Sequence, residues 1–325
     1  MPLDPELAAL LEAAPPFDPD LLQTTPVAEY RAVMKTGILA IGPSPEVVAS
    51  VVDTTMPGPE GDLPLRIYTP EHTEPPRRES RSLLGIAVFF HGSGFVICDL
   101  DTHDHECRVL ANGAGVIVVS IDYRLAPEHK FPAAVDDAYA ALEWVVAHAA
   151  ELGGDPARVA VVGDSAGGDL AAVVAQLARD QGGPAVAFQL LVYPVTDLRA
   201  GTASYTENAT GYGLSAEAMH WYIGQYVRTG DDVLDPRASP LLAASFAGLP
   251  RAFVAVCEYD PLRDEGKQYA HRMRDAGIDV TLRRYDGAIH GVFQMSRFTA
   301  IGQRMLDDCV EALRAAIGTE LSRSV

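Results

Sequence analysis

Lysine is nearly missing from this chain. Only three of its 325 residues are lysine, Lys35, Lys130 and Lys267, so arginine supplies almost all of the 25 basic side chains against 44 acidic ones. The formal net charge of −19 argues against a nucleic acid or an anionic membrane as partner, because both would be repelled. Cysteine is scarce as well. The four, Cys98, Cys107, Cys257 and Cys309, fit neither a zinc spacing nor a C-x-x-C. That usage points to free thiols in a reducing cytoplasm, with a Cys98–Cys107 bridge left open. No apolar run is long enough to span a bilayer. The stretch "MPLDPELAALLEAAPPF" carries Asp4 and Glu6 where an export signal would carry positive charge, so it reads as a short amphipathic helix. Internal repeats and low-complexity tracts are absent too.

What is present is a large apolar fraction, 48%, enough for one large α/β domain or two medium ones. Residues 1 to 45 read as helix, a break at "PPFDPD", and helix again. "LPLRIYTP" is a strand, and the polar "EHTEPPRRESRS" a surface loop. From there, short β-branched runs recur: "GIAVFFH", "GVIVVSIDY", "RVAVVGDS", "AFQLLVYP", "RAFVAVCEYD" and "DVTLRRYDG". Helical patterns separate most of them, which predicts a mostly parallel sheet covered on both faces. One interval breaks the rhythm. Between about 199 and 245 no strand occurs, and "SAEAMHWYIGQYV" places Met219, Tyr222, Ile223 and Tyr226 on one helical face with Ser215 as N-cap. This is expected to be an insertion above the sheet.

"VAVVGDSAGGDLAAVVAQLARD" carries the most information. A strand ends at Gly163, a helix begins after Gly167, and Gly163, Ser165 and Gly167 form G-x-S-x-G, the nucleophile elbow of the α/β-hydrolase fold. The turn is so sharp that the flanking positions must be glycine, and the serine is thrust out at a helix N-terminus. A serine hydroxyl needs a general base. In this fold the acid and the histidine follow in that order at later strand ends. Asp260 follows "FVAVCEY", with Asp264 and Glu265 as nearby competitors. His290 stands between Ile289 and Gly291 after "VTLRRYDGA". "THDHE" resembles a metal cluster, but adjacent loop residues rarely face one ion and no second ligand group is spaced to join it. Serine acyl transfer also needs backbone N–H donors for the developing oxyanion. The amide after the serine, Ala166, is one; the glycine-rich loop "HGSG" after "GIAVFF" is placed to supply the others.

The sequence resembles the bacterial hormone-sensitive-lipase family of α/β-hydrolase carboxylesterases, in its GDSAG branch. The resemblance lies in "HGSGFVICDLDTHDHECRVLA", "VVSIDYRLAPEHKFPAAVDDAYAALEWV", "GDSAGGDLAA", "YPVTDL", "DPLRDEG" and "IHGVF", from about 85 to 295. It implies Ser165, Asp260 and His290 as the triad and Gly92, Ser93 and Ala166 as oxyanion donors. It also implies that residues 1–45 and 199–245 form a cap over a catalytic domain of residues 46–198 and 246–325. The implied activity is hydrolysis of short- to medium-chain esters without metal or organic cofactor. The partner is a small-molecule ester, and a homodimer stays open. Hydrolysis of an amide, thioester or lactone, or ligand binding without catalysis, are the alternatives. A lipid-surface lipase would need a broad apolar face, for which this acidic chain gives no sign. Three departures from the family stand out: Ser93 in place of the usual glycine, Cys98 in place of a common glycine, and Asp169 in place of an asparagine. Serine is strained at positive φ, so Ser93 predicts an ordinary negative φ. Tyr123, Arg124 and Glu128 of "DYRLAPEH" are expected to brace the oxyanion loop or to serve the fold alone.

Overall fold

A computed structural model describes residues 2–14, 19–41, 45–71 and 83–318. The expected break at "PPFDPD" and the "EHTEPPRRESRS" loop lie largely outside the described residues. Eight strands form one sheet: β1 (Ser50–Gly58), β2 (Gly61–Thr69), β3 (Leu84–Phe90), β4 (Val116–Ile121), β5 (Gly154–Asp164), β6 (Phe188–Val192), β7 (Ala252–Tyr259) and β8 (Val280–Ile289). Their order is β1-β2-β4-β3-β5-β6-β7-β8. β1, β2 and β4 pair antiparallel, and every pair from β4 to β8 is parallel. β1 was not foreseen. It is an edge strand whose Val51 and Val52 face solvent, so its sequence lacks the apolar alternation that marks a half-buried strand.

The helices are α1 (Pro5–Ala13), α2 (Pro19–Thr24), α3 (Val27–Ile41), α4 (Asp104–Ala114), α5 (Ala133–Ala147), α6 (Ala149–Leu152), α7 (Ala166–Gln181), α8 (Ala203–Glu207), α9 (Ala216–Tyr226), α10 (Arg263–Asp275) and α11 (Ala300–Ile317). The central strands are buried on both faces, and β3 has no exposed residue, as a parallel sheet covered by helices requires. The sheet divides the core. Val135 of α5, Val173 of α7 and Met273 of α10 pack on one face; Leu110 of α4 and Met305 of α11 pack on the other.

Strand register sets the site. Phe90 of β3 pairs with Gly163 of β5, so the chain after β3 leaves the sheet level with the elbow. Tyr259 of β7 pairs with Ile289 of β8, which puts Asp260 beside His290. Above these ends α3 meets α9: Tyr30 Oη lies 3.1 Å from Tyr222 Oη, and the Tyr30 ring meets Trp221 edge-on at 5.5 Å. Ser215 caps α9 by accepting from the Ala218 amide at 3.0 Å. The later part of the insertion lies elsewhere. Pro240 accepts from Gln176 of α7, and Ala243 from Arg272 of α10. Residues 240–243 therefore lie against α7 and α10.

Candidate active site

The elbow works by close approach. A Cβ on Gly163 would run into the Gly167 carbonyl, and one on Gly167 into that of Phe90. Ser165 is held at φ 53° and ψ −118°, a sparsely populated conformation costing a non-glycine residue about 1–3 kcal/mol. Its amide donates to Val192 at 2.9 Å, which ties the strained turn to β6.

The structure brings Ser165, His290 and Asp260 into one line. His290 Nε2 lies 3.0 Å from Ser165 Oγ, and His290 Nδ1 lies 2.9 Å from Asp260 Oδ2. Asp260 is fully buried; a carboxylate there accepts from Nδ1–H, which leaves Nε2 able to accept from the serine hydroxyl. The second Asp260 oxygen, Oδ1, accepts from the Leu262 amide at 2.8 Å. The competing carboxylates are committed elsewhere. Asp264 pairs with Arg263 and accepts from the Ser204 amide; Glu265 accepts from the Thr196 and Asp197 amides.

The loop after β3 differs from expectation in two ways. First, the Gly92 amide donates to Asp164 Oδ1 at 2.8 Å. That amide already has its partner inside the protein. Gly92 is required because a Cβ there would collide with the Asp164 carboxylate. Among the described residues nothing accepts from the amides of Ser93, Gly94 or Ala166; Ala166, at the first position of α7, has no intrahelical acceptor. Second, Ser93 has φ 120°, and Gly94, Phe95 and Cys98 are also positive at 63°, 64° and 68°. The negative φ expected for Ser93 is overturned. The Ser93 hydroxyl donates to the Ile97 carbonyl, an internal bond that offsets the strain. Both departures from glycine, Ser93 and Cys98, thus occupy left-handed positions, where glycine is the unstrained residue.

Of the three bracing candidates, Tyr123 touches the loop directly. Its hydroxyl donates to the His91 carbonyl at 2.8 Å, and its ring stacks on His91 at 4.4 Å. Arg124 instead pairs with buried Asp137 and with Glu60, so it serves the fold. Glu128 reaches the loop through Arg31 of α3. The sequence reading missed Arg31, Asp164, Gly94 and Tyr193. Asp164 was inside a motif read only for its serine. Tyr193, whose ring lies 4.5 Å from that of His290, carries no signal beyond following a strand.

A cavity of about 130 Å³ surrounds Ser165, bounded by Met219 and Tyr222 of α9 and Met34 and Ile38 of α3. A larger one of about 500 Å³, between α3, the start of α4 and residues 291–295, shares Met34, Ile38, Gly291 and Gln294 with it. The four cysteines are free thiols, so Cys98 and Cys107 do not pair. Burial pushes the Cys98 thiol up to about 12, which keeps it un-ionised. Asp169 is buried with neither oxygen hydrogen-bonded, and burial, with the charge of Glu265, pushes its carboxyl well above the ordinary range. Among the described residues no helix is long and apolar enough to cross a membrane.

A sheet with this strand order and a serine–histidine–aspartate line at its carboxyl ends defines an α/β hydrolase. Residues 87–294 match the family model described as alpha/beta hydrolase fold, and the chain belongs to this family, in the hormone-sensitive-lipase group of carboxylesterases. It is 44% identical over 323 residues to the carboxylic ester hydrolase LipN of Mycobacterium tuberculosis, covering 96% of this chain and 83% of LipN. Among solved structures it is similar to the Pyrobaculum calidifontis esterase, with a TM-score of 0.87, 40% identity and coverage of 97% of this chain and 99% of that one. It is also similar to ester-hydrolase EH1AB1 from the metagenome of Lake Arreo, with a TM-score of 0.88, 42% identity and coverage of 96% and 98%.

Proposed function

We propose that this carboxylic ester hydrolase cleaves short- to medium-chain esters through an acyl-enzyme on Ser165. The observation that carries the reading is the unbroken Asp260–His290–Ser165 chain, with links of 2.9 and 3.0 Å. Ser165 Oγ attacks the ester carbonyl while His290 Nε2 takes its proton. The oxyanion is received by the amides of Ser93, Gly94 and Ala166, with Gly94 replacing Gly92 in the expected set. Collapse breaks the bond to the alcohol oxygen, which His290 protonates as it leaves. Water then attacks the acyl carbonyl, giving its proton to His290, and the carboxylic acid and free Ser165 are regenerated. Asp260 holds the imidazole in the tautomer this sequence needs.

The two connected cavities support a small acyl chamber with room for a longer arm beyond it. α3 and α9 are the cap over the first chamber, and free thiols support a reducing, cytoplasmic setting. The test is stoichiometric labelling by a fluorophosphonate, lost in Ser165→Ala. p-Nitrophenyl esters from acetate to palmitate, with anilide and thioester controls, give the substrate range. Ser165→Ala should lower kcat by about 10⁴ or more, and Asp260→Asn by a similar factor. Asp264→Asn should leave turnover largely intact. A crippled Asp264→Asn beside an active Asp260→Asn would overturn the assignment.

A further inference from the structure

Among the described residues no group of three His, Cys, Asp or Glu side chains could hold a metal, so "THDHE" needs another explanation. Its first histidine lies behind the nucleophile. His103 is 1% exposed, with its ring 5.6 Å from that of His91. His103 Nε2 lies 3.3 Å from Asp164 Oδ1, the oxygen that also accepts from the Gly92 amide. His103 Nδ1 lies 3.1 Å from Thr102 Oγ1. That hydroxyl gives its only hydrogen to the Asp99 carbonyl at 2.8 Å, so toward His103 it can only accept. Nδ1 therefore faces an acceptor and carries a hydrogen, while Nε2 lies between Asp164 Oδ1 and the Gln294 amide. The ring thus lies against the Asp164 carboxylate. The Gln294 amide nitrogen lies 3.1 Å from Nε2 and donates to the Thr102 carbonyl at 3.5 Å, so it packs against the same edge of the ring.

The surrounding charges agree. Burial opposes a charged His103, but Asp164, aided by Glu106 and Asp99, raises it above the usual histidine range. Burial likewise opposes a charged Asp164, yet His103 and the Gly92 amide hold it below the usual carboxylate range. A buried ion pair adds little net stability, since desolvation offsets the attraction. What it supplies is a fixed position. The loop it holds has positive φ at Ser93, Gly94, Phe95 and Cys98, and such a loop keeps its shape only where its surroundings over-determine it.

We propose that His103 is a positioning residue for the oxyanion hole: it fixes Asp164, Asp164 fixes the Gly92 amide, and the next two amides are thereby aimed at the substrate oxygen. This rests on the reading of the Ser93 and Gly94 amides as donors to an ester bound at Ser165.

The test compares His103→Gln, Asp164→Asn and the double variant with the parent enzyme on p-nitrophenyl acetate. Each is also titrated with phenylboronic acid, whose serine adduct places an oxygen in the hole. His103→Gln should lower kcat by about 10- to 100-fold, short of losing a whole donor, with KM within about threefold. Boronate affinity should fall by a comparable factor, and the double variant should lose no more than the worse single one. A folded His103→Gln whose kcat stays within threefold, or effects that multiply in the double variant, would overturn the proposal. Should His103→Gln fail to fold, ¹⁵N resonances of the intact protein decide: a hydrogen on His103 Nε2, the nitrogen facing Asp164, supports the proposal, and a bare Nε2 rejects it. Ser165→Ala keeps the two readings apart. Turnover retained there removes the serine mechanism itself, whereas a dead Ser165→Ala beside a normal His103→Gln removes only the role of His103.

Discussion

Arg31 and Glu128 join α3 to the loop after β4 by a bidentate pair, with Nη1–Oε1 2.9 Å and Nη2–Oε2 2.6 Å. The same guanidinium donates to the carbonyls of Val96 and Ala126, both at 2.6 Å. One α3 side chain thus holds both loops beside Ser165. The two partners are not equal. Glu128 is half exposed and contributes within about 1 kcal/mol, whereas the carbonyl bonds of Arg31 are charge-assisted and part-buried, worth about 1.5–3 kcal/mol. Arg31→Ala should therefore lower the urea midpoint well beyond Glu128→Ala and reduce kcat as the 91–98 loop loosens. Arg31→Lys should restore little, since one ammonium cannot reach all three acceptors. Equal midpoints for the Arg31 and Glu128 variants would refute this ranking.

Ser93 yields an ordered series. Its backbone N–H is the proposed donor, and its hydroxyl is turned back to Ile97. Ser93→Gly relieves strain of about 1–2 kcal/mol but loses one hydrogen bond of about 1 kcal/mol, so stability should barely change. Ser93→Ala keeps the strain and loses the bond, and should be the less stable of the two. Both should keep kcat within about tenfold. Ser93→Pro should be inactive, because its fixed φ near −65° cannot meet 120° and its amide is gone. A hundredfold fall in kcat for a folded Ser93→Ala would show the hydroxyl itself to be an oxyanion donor.

Asp169 makes stability depend on pH. Its folded-state pKa is raised above the unfolded value near 4. Between those two values the folded state binds more protons than the unfolded state, so stability falls as pH rises. Asp169→Asn removes that slope and the repulsion from Glu265. Its advantage over the parent in urea midpoint should be small at pH 5 and larger at pH 9. An advantage that shrinks toward pH 9 would mean that the carboxylate is stabilised by a partner.

Much of this was legible in the sequence because it depends on local rules. The elbow, the strand ends carrying Asp260 and His290, and the cap on α9 each follow from a turn, a period or a capping residue. What escaped depends on packing across the sheet. The commitment of Gly92 to Asp164 follows from the pairing of β3 with β5, which no single stretch encodes. The positive φ of Ser93 escaped because residue type gives only a preference, and a hydrogen bond to Ile97 outweighed it. The partners of residues 240–243 on α7 and α10 likewise leave no mark in the local sequence.

The docking of α1 onto β8 bears on how the molecule is made. The Asp4 amide donates to the Gly287 carbonyl at 3.0 Å, Glu6 accepts from the Ala300 amide at 2.7 Å, and Leu7 is fully buried. These partners are separated by almost the whole chain, so α1 leaves the ribosome long before the surface that receives it exists. During synthesis its apolar side chain must wait, and loop closure over that distance comes late. The strand that brings in His290 is also the landing place of α1, so completion of the fold and arrival of His290 beside Ser165 coincide. A nascent chain that has already displayed Ser165 therefore completes the surroundings of that serine only after β8 has emerged.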